Sequence, residues 1–419
     1  MKVLLVHNEY QQPGGEDIVF RLERQLLSSF GHRVLTYMRS NQEIKCYSNL
    51  QKLLLIRQMI WAKDSQRDIA RIIKLEKPDV VHVHNTFTQI SPSIYAECRR
   101  AGVPVVQTLH NFRLLCPGAT FYRSGRICDE CVTHSLGRSI LYGCYRNSRF
   151  ATAAVATMLA AHRALQTWSQ NITSYIALTE FARQQFIRGG LPPGKIHVKP
   201  NFAAPDPGRG THGGGFAIFV GRLSPEKGLQ TLLHAWRRLR NTIPLHIVGD
   251  GPLREELTKY VKQQGLSSVR FMGRLGREET QEAIKAARFL ILPSVCFENF
   301  PMTIVEAFAA GTPVICSRLG AMREIVAHRH TGLHFDPTSV EQLSDTVAWG
   351  WEHIARMQAM GRAARHEFEL KYTAEKNYSL LMDIYRQALE NPPREEHRGD
   401  QENELLAAPS ARSRSACTC

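Results

Sequence analysis

Short apolar runs rich in valine and isoleucine recur along the chain and alternate with amphipathic helical patterns. Runs that are apolar on both faces indicate parallel strands covered by helices on both sides. The pattern stops in a Pro/Gly-rich stretch at 205–215 and then restarts, so the sequence predicts an α/β protein with two doubly wound domains. The predicted strands are 3–6, 33–37, 79–84, 104–109, 174–178 and 196–199 before the break, and 216–220, 245–248, 269–272, 289–292 and 313–316 after it.

The length and the break divide the chain into five parts. A chain of 419 residues is too long for one compact core, which agrees with two domains. After about residue 391 the composition turns to Pro, Glu, Arg, Ser and Ala without periodicity, which predicts a disordered tail. The predicted parts are a first domain over 1–201, a linker over 202–215, a second domain over 216–372, a helix over 373–390 that returns to the first domain, and the tail over 391–419.

Positive charge is concentrated in the first half of the chain. The 53 Lys and Arg exceed the 38 Asp and Glu, and residues 1–200 hold 26 of the cations but only 13 of the acids. Ten cysteines are too few for a disulfide scaffold, and the first residues read as a buried strand rather than a signal peptide, so we expect a reducing cytoplasm. The longest apolar-looking run, 150–161, is too short to cross a membrane, so any membrane contact should be peripheral.

Glycines and basic residues follow several predicted strands at their carboxyl ends, where open parallel sheets bind ligands. Gly14 and Gly15 lie between a strand and a helix, an arrangement that lets a phosphate approach the backbone. His110 follows another strand and is placed to hydrogen-bond a sugar hydroxyl or a phosphate, although a lone histidine after a strand is more often structural. Arg222 and Lys227 lie on a loop that enters a helix, which suits a diphosphate.

The segment after the predicted strand 289–292 is the strongest candidate element. Glu298 lies on the loop, and Pro301 is a natural first residue for the helix that follows. Glu306 sits on this otherwise apolar helix, where a carboxylate that faces a cleft suits two vicinal hydroxyls of a ribose. Paired carboxylates are alternatively the acid and base of a hydrolase, but one here is on a loop and the other is further along the helix.

Glu298 and Glu306 form an E-x7-E pattern, and together with the glycines and basic residues above it resembles the retaining glycosyltransferases of family 4, of the type that builds bacterial surface polysaccharides. The resemblance extends over about residues 1–388 and includes Gly249-Asp250-Gly251. It implies the GT-B fold, in which two Rossmann-like domains enclose a cleft. It also implies transfer of a sugar from a nucleotide-diphosphate sugar to a lipid-linked or polysaccharide acceptor.

The resemblance implies a role for each candidate residue. Arg222 and Lys227 would bind the donor diphosphate and stabilise the charge on the leaving group. Glu306 would hold the ribose hydroxyls, and His110 would contact the donor sugar near the anomeric carbon. The other implied contacts are Glu298, Asn299, Phe300 and Pro301 to the donor sugar and its phosphates, Gly14 and Gly15 as a loop over phosphate and acceptor, Gly221 beside the diphosphate, and Gly249, Asp250 and Gly251 beside the base.

Catalysis is expected to need no metal or other cofactor. The chain has no Asp-x-Asp motif, so the resemblance implies that Arg222 and Lys227 take the place of a divalent cation. No protein nucleophile is evident, which favours front-face attack, with a leaving phosphate oxygen accepting the acceptor's proton. A nucleotide-sugar epimerase or another GT-B enzyme is the alternative within the fold. From another class, a nucleic-acid-binding protein would explain the charge but not the E-x7-E element.

Four cysteines lie in an insertion at about 111–150. Cys116, Cys128, Cys131 and Cys144 have the spacing C-x11-C-x2-C-x12-C, and four thiolates with one C-x2-C pair can hold a structural zinc ion. The alternative is four ordinary thiols in a structured loop. The zinc hypothesis therefore concerns the structure of this insertion and not the catalysed reaction.

The basic first half is predicted to face the acceptor or an anionic membrane surface and not nucleic acid. In the GT-B fold this half usually binds the acceptor. Cations and apolar residues are interspersed over 52–77, which fits docking on anionic lipid at the inner face of the cytoplasmic membrane. A solvated helix face that packs inward through its Leu and Ile residues would give the same pattern. The cations are Lys52, Arg57, Lys63, Arg67, Arg71, Lys74 and Lys77, and the apolar residues are Leu53, Leu54, Leu55, Ile56, Ile60 and Trp61.

Overall fold

A computed structural model describes residues 1–11 and 14–393, without the side chains of residues 49, 50, 52 and 53. From residue 394 onward the predicted tail falls outside the described residues. The side chains of Lys52 and Leu53, which belong to the predicted basic surface, fall outside them as well.

The first half of the chain builds an open parallel sheet and a small hairpin. Its elements are β1 (Lys2–Glu9), α1 (Gly15–Ser29), β2 (Arg33–Ser40), α2 (Asn49–Ile60), α3 (Lys63–Glu76), β3 (Val80–Asn85), α4 (Ile94–Arg100), β4 (Val105–Thr108), β5 (Tyr122–Arg123), β6 (Arg126–Ile127), α5 (Glu130–Thr133), α6 (Gly137–Tyr142), α7 (Arg149–Ala164), α8 (Thr167–Gln170), β7 (Ser174–Ala177), α9 (Glu180–Arg188) and β8 (Ile196–Val198). The parallel strands are ordered β2–β1–β3–β4–β7–β8, and β5 and β6 form the antiparallel hairpin.

The second half repeats the architecture with a second parallel sheet. Its elements are β9 (Ala217–Val220), α10 (Leu229–Arg238), β10 (Leu245–Val248), α11 (Arg254–Gln263), β11 (Val269–Gly273), α12 (Arg277–Ala286), β12 (Phe289–Leu292), α13 (Met302–Ala310), β13 (Val314–Ser317), α14 (Gly320–Ile325), β14 (Gly332–Phe335), α15 (Val340–Glu352), α16 (Ile354–Lys371) and α17 (Ala374–Glu390). The strands are ordered β11–β10–β9–β12–β13–β14. Short 3-10 turns at Glu43–Cys46, Pro193–Lys195 and Pro225–Lys227 are outside this numbering.

The central strands are buried on both faces, as their apolar runs predicted. In β1, Val3 and Leu5 belong to one hydrophobic cluster, while Leu4 and Val6 belong to the cluster on the other side of the sheet. Alternate residues of a strand point to opposite faces, so β1 is covered twice. The prediction of two doubly wound α/β domains is confirmed. Strand β14 was not predicted, because only half of its four residues are large and apolar.

The segment 202–215, predicted as a linker, runs along the second domain and is held there by specific contacts. Phe202 at its start is still buried against Leu22 and Leu26 of α1, but the Arg365 guanidinium donates two hydrogen bonds of 2.6 Å to the Asp206 carboxylate. The Gly210 amide donates to the Ala310 carbonyl at 2.8 Å. The composition predicted that this segment has no regular secondary structure, but it did not predict that the segment packs against the second domain.

Helix α17 leaves the second domain and packs against the first. The Tyr385 hydroxyl lies 2.7 Å from Nδ1 of His82 on β3. Asn377 Nδ2 donates to the Pro200 carbonyl at 2.7 Å, and Leu381 is fully buried. The last helix therefore becomes part of the core beneath the first sheet.

A buried ion pair joins α1, the end of β8 and α17. Lys199 Nζ lies 2.5 Å from Glu23 Oε1 and 3.2 Å from Asn377 Oδ1, and Lys199 and Glu23 are both 0% exposed. Burial opposes the ionisation of Glu23, but the charge of Lys199 and the nearby His84 outweigh it and hold the pKa of the carboxyl well below its usual value.

Glu23 also belongs to a group that has the composition of a metal site. Within the described part of the chain, Glu23, His82 and His84 are the one set of three potential ligands whose atoms lie within 4.8 Å of one another. Lys199 already neutralises the carboxylate, and Tyr385 and Thr108 bond the two nitrogens of His82. We interpret the set as a buried hydrogen-bonded network.

Replacing Lys199 by Met should destabilise the protein by about 3–5 kcal/mol, because it leaves the Glu23 carboxylate buried without a counter-charge. The measurement is the free energy of unfolding in urea at neutral pH. The double variant Lys199→Met/Glu23→Gln should recover much of the loss, and Lys376→Met, on the exposed side of α17, is the control. A single variant as stable as the wild type would show that the ion pair does not support the fold.

Candidate active site

The functional residues gather where each sheet changes its winding direction. The strand order reverses beside β1 in the first sheet and beside β9 in the second. Open parallel sheets bind ligands outside the carboxyl ends of the strands at such switch points. The loops that follow β1, β4, β9 and β12 are therefore the ones to consider.

A buried acid contacts the described residues on either side of the loop after β1. His7 Nε2 lies 2.9 Å from Asp17 Oδ1, and the Gly14 amide donates to Asp17 Oδ2 at 2.6 Å. A Cβ atom added to Gly15 would lie 3.8 Å from Cγ of Met302, the first residue of α13 in the other domain. The paired glycines and the start of α13 therefore face each other across the cleft. Sequence reasoning did not identify His7 and Asp17, although both flank the Gly-Gly turn.

Glycines bring two loops of the second domain into backbone contact. Gly249 has φ +134°, and a Cβ there would overlap the Gly221 carbonyl. A Cβ at Gly251 would lie 2.5 Å from the Leu223 carbonyl, and the Leu223 amide donates to the Asp250 carbonyl at 3.0 Å. Side chains at either glycine would push the loops apart. Gly249, Asp250 and Gly251 thus support the Gly221 loop directly.

Lys227 and Glu298 form an ion pair in the cleft. Lys227 Nζ lies 2.6 Å from Glu298 Oε1, which also accepts a 2.6 Å hydrogen bond from the Ser294 hydroxyl. Burial alone would lower the pKa of Lys227, but the Glu298 carboxylate outweighs it and the pKa is raised above its usual value. The ammonium is therefore charged at neutral pH. Lys227 and Glu298, which the resemblance assigned to the same sugar donor, therefore contact each other directly.

Arg222 lies on the same loop as Lys227 and is more exposed. Its Nη2 lies 2.9 Å from Glu226 Oε1, and its side chain is 56% exposed. Ser224 donates to the same Glu226 oxygen at 2.6 Å. The guanidinium is held by one acid only and presents its remaining donors to solvent, as a diphosphate-binding group requires.

The residues after Glu298 connect the two domains. Asn299 Nδ2 donates to the Leu109 carbonyl at 2.6 Å, directly before His110. Phe300 is buried in the core, so only its backbone is available to a donor. Helix α13 begins at Met302, one residue later than predicted, and Pro301 precedes it in an extended conformation.

Glu306 is the carboxylate on the apolar helix α13. It accepts no hydrogen bond from any residue that the structure describes, and burial raises its pKa although the charge of Arg277 opposes this. A carboxylate with free acceptor positions suits hydroxyl donors. The geometry is compatible with the ribose-binding role that the resemblance implied.

His110 ends a buried relay in the first domain, the chain of contacts that runs from Glu23 through His84 to His110. Its Nε2 lies 2.9 Å from His84 Nδ1, and His84 Nε2 lies 3.2 Å from Glu23 Oε2. Burial, with the neighbouring His84, lowers the pKa of His110 well below its usual value, so the ring is neutral. His110 Nε2 and His84 Nδ1 share one hydrogen bond, which leaves His110 Nδ1 outside it.

Sequence reasoning missed the relay residues. His82 and His84 stand two apart in an apolar strand and therefore point to one face. Two buried histidines on one strand face need polar partners, and this is the signal that would have found them. Their partners Glu23 and Lys199 are distant in the sequence and carried no local signal.

Two family models match successive parts of the chain. A model described as Glycosyltransferase Family 4 matches residues 14–206, and one described as Glycosyl transferases group 1 matches residues 209–367. The D-rhamnosyltransferase WbpZ of Pseudomonas aeruginosa is 33% identical over 38% of this chain and 42% of its own length. O-antigen chain mannosyltransferase C of Escherichia coli is 30% identical over 44% of this chain and 49% of its own length. The chain spans less than half the length of these curated relatives.

Solved structures share the whole architecture. Sucrose-phosphate synthase from Thermosynechococcus elongatus superposes with a TM-score of 0.70 at 17% identity, covering 92% of this chain and 98% of its own. Anabaena HepE in complex with UDP-glucose superposes with a TM-score of 0.65 at 16% identity, covering 92% and 100%. These likenesses establish the fold, and the two family models between them span both domains. The chain therefore belongs to the family 4 glycosyltransferases and has the GT-B fold.

Proposed function

We propose that the protein is a retaining glycosyltransferase that moves a sugar from a nucleoside diphosphate sugar to a lipid-linked or polysaccharide acceptor. The observation that carries the proposal is the convergence of Lys227 and Glu298 of the second domain with His110 of the first. The hydrogen bond from Asn299 to Leu109 links the two sides. The relatives named for O-antigen and rhamnose transfer support a role in cell-envelope polysaccharide synthesis.

The proposed reaction proceeds on one face of the donor sugar. The bond between the anomeric carbon and the diphosphate oxygen breaks, and a bond to the acceptor oxygen forms on the same side. The acceptor's proton passes to a phosphate oxygen of the leaving nucleoside diphosphate, so no protein nucleophile is needed. Arg222 and Lys227 stabilise the charge on that leaving group and do the work that a divalent cation does elsewhere.

Donor binding would rearrange the Lys227–Glu298 pair. A diphosphate gives Lys227 a stronger anionic partner, which leaves Glu298 to accept hydrogen bonds from the sugar. His110 Nδ1 accepts another sugar hydroxyl, and Glu306 accepts those of the ribose. Neighbours solved with UDP and with UDP-glucose support a nucleoside diphosphate sugar as donor.

A second cluster lies on the acceptor side of the cleft. Asn111 Nδ2 donates to Glu16 Oε1 and to the Tyr10 hydroxyl, at 3.3 Å each. Glu16 Oε2 is buried and has no partner among the described residues. Burial raises the pKa of Glu16 to about 7 in spite of the hydrogen bond with Tyr10. We assign this carboxyl, beside Gly15 and next to the His110 loop, to an acceptor hydroxyl.

Docking on an anionic membrane surface is part of the proposal. Lys63, Arg67, Arg71 and Lys74 form an exposed row along α3, while Ile56 and Ile60 of α2 pack against the core. The apolar side chains are thus partly used in packing, and attraction would be mainly electrostatic. Among the described residues, no helix has the length and hydropathy needed to span a bilayer.

The alternatives differ in what they leave unexplained. A nucleotide-sugar epimerase of the same fold would return a nucleotide sugar, whereas a transferase releases the nucleoside diphosphate. A nucleic-acid-binding protein has no use for the ion pair, the neutral histidine and the free carboxylate in the cleft. We therefore propose no nucleic-acid partner.

Replacing Lys227 or Glu306 by Ala should lower the rate of nucleoside diphosphate release by at least about 100-fold, because each removes a contact to the donor. UDP- and GDP-sugars are tested with membrane lipid extract as acceptor, and donor binding is followed by thermal stabilisation. A donor at a hundred times its Kd adds about 2.7 kcal/mol to the free energy of unfolding. The controls are Lys262→Ala and Glu255→Ala on the exposed face of α11. Full activity in Lys227→Ala or Glu306→Ala contradicts the assignment.

Glu16→Gln should change how stability depends on pH. The folded state keeps the Glu16 proton up to about pH 7, while the unfolded chain releases it near the usual pKa of 4.5. The wild type therefore loses stability relative to Glu16→Gln as pH rises through this range, by on the order of 2 kcal/mol, and the difference is constant above it. Urea unfolding of both proteins between pH 4.5 and 8.5 measures this. A difference that does not vary with pH would mean that the carboxyl titrates normally.

Vesicle flotation tests the membrane surface. The protein should float with vesicles rich in phosphatidylglycerol but not with phosphatidylcholine alone, and added salt should weaken binding. Changing Lys63, Arg67, Arg71 and Lys74 to Ser should reduce binding by at least about 100-fold, since each cation contributes about 1 kcal/mol near the surface. The control carries the same charge change in the second domain, at Lys259, Lys262, Arg270 and Arg274. Equal binding to both vesicles, or none, refutes electrostatic docking.

A further inference from the structure

We propose that Cys116, Cys128, Cys131 and Cys144 bind one structural zinc ion through four thiolates. The fold brings all four around one small cavity. They come from three stretches of chain: the turn before the β5–β6 hairpin, the start of α5 with the residues that precede it, and the second residue after α6. Only the C-x2-C pair is close in sequence, so the convergence is a property of the fold.

The turn after Cys116 brings Cys116 and Cys144 together. The Ala119 amide donates to the Cys116 carbonyl at 2.8 Å, and Gly118 lies beside Cys116 Sγ. A Cβ added to Gly118 would lie 3.7 Å from this sulfur and 3.2 Å from the Cys144 carbonyl. Glycine therefore allows the Cys144 backbone to lie directly against the turn.

The charges around the cavity suit an anionic centre. Four thiolates and Zn²⁺ carry a net charge of about −2. Arg123 and Arg138 line the cavity, and Glu130 bonds Arg123 at 2.5 Å. Glu130 also lines the cavity and lies 3.5 Å from Arg138 Nη1, so two guanidinium groups and one carboxylate leave the wall with a net positive charge, which suits a tetrathiolate centre.

The insertion has little else to hold it together. The hairpin and α5 and α6 are two to six residues long, and large apolar side chains in this region point to solvent, with Leu141 57% exposed and Tyr142 49% exposed. Phe121 is the one large apolar side chain between Cys116 and Cys144 that is fully buried. Small units without a core of their own are commonly stabilised by a metal or by disulfides.

The sulfur atoms need to close in on the ion. Within the described residues, three ligand atoms lie within 4.8 Å of one another only at Glu23, His82 and His84, so the thiols surround their cavity at wider spacing. Binding would draw them to Zn–S distances of about 2.3 Å.

The zinc site would also fix the position of the loop that carries Glu298. The ring of Phe121 packs edge to face against Phe297 of the second domain, with centroids 6.2 Å apart. Phe297 directly precedes Glu298, which pairs with Lys227. A metal that fixes the insertion therefore fixes one wall of the cleft beside the donor site.

Metal analysis of the full-length protein purified without chelator tests the proposal. We expect close to one zinc per chain, a cobalt-substituted protein with the thiolate charge-transfer and tetrahedral d–d bands of four sulfur ligands, and loss of at least about 80% of the metal in Cys128→Ser and Cys131→Ser. Cys46→Ser, which changes an exposed cysteine far from the cavity in sequence, should keep the metal.

Several outcomes would overturn the zinc site. These are zinc well below stoichiometric level after growth with added zinc, a cobalt spectrum without thiolate bands, an iron–sulfur chromophore, or disulfides between these cysteines in mass spectra of protein alkylated at lysis. If the serine variants do not fold, the metal content and cobalt spectrum of the wild type decide the question. Neither readout depends on the proposed transferase reaction.

Discussion

The buried ion pair between Lys199 and Glu23 is the interaction on which most of the cleft depends. Lys199 ends the last strand of the first sheet, Glu23 lies on the first helix, and Asn377 on α17 completes the contact. Breaking the pair would leave a charge in the core. The same carboxylate faces His84, which in turn faces His110, so the ion pair that anchors the fold connects to the histidine at the cleft.

The two domains are joined by polar contacts that use backbone groups. Asn299 reaches the Leu109 carbonyl, and the Glu324 carboxylate of α14 accepts hydrogen bonds from the amides of Glu180 and Phe181 at the start of α9. The second contact is a helix cap supplied by the other domain. Such contacts orient the domains through backbone groups, while Phe297 packs against Phe121 and Phe181 of the first domain and a Cβ at Gly15 would lie 3.8 Å from Met302 Cγ.

The local sequence predicted the structure where hydrophobic residues recur with a regular period or where a backbone position requires glycine. The apolar runs predicted the strands of both sheets, and the Gly-rich turns and E-x7-E element marked the loops at the carboxyl ends. Gly249 illustrates why this works: its positive φ and its contact with Gly221 both exclude a side chain. The edge strand β14 escaped because only half of its residues are large and apolar, whereas the docked linker and the relay from Glu23 to His110 escaped because they depend on partners distant in the sequence.

The sequence alone determined that the chain forms two parallel sheets with their ligand-binding loops at one edge, since hydrophobic periodicity and glycine chemistry act over a few residues. Only the tertiary structure decided which charged and polar side chains are paired with one another. It paired Lys227 with Glu298, left Glu306 without a hydrogen bond among the described residues, made His110 neutral and gathered four cysteines from three stretches around one cavity. Protonation and coordination depend on distance and burial in space, and sequence spacing does not contain them.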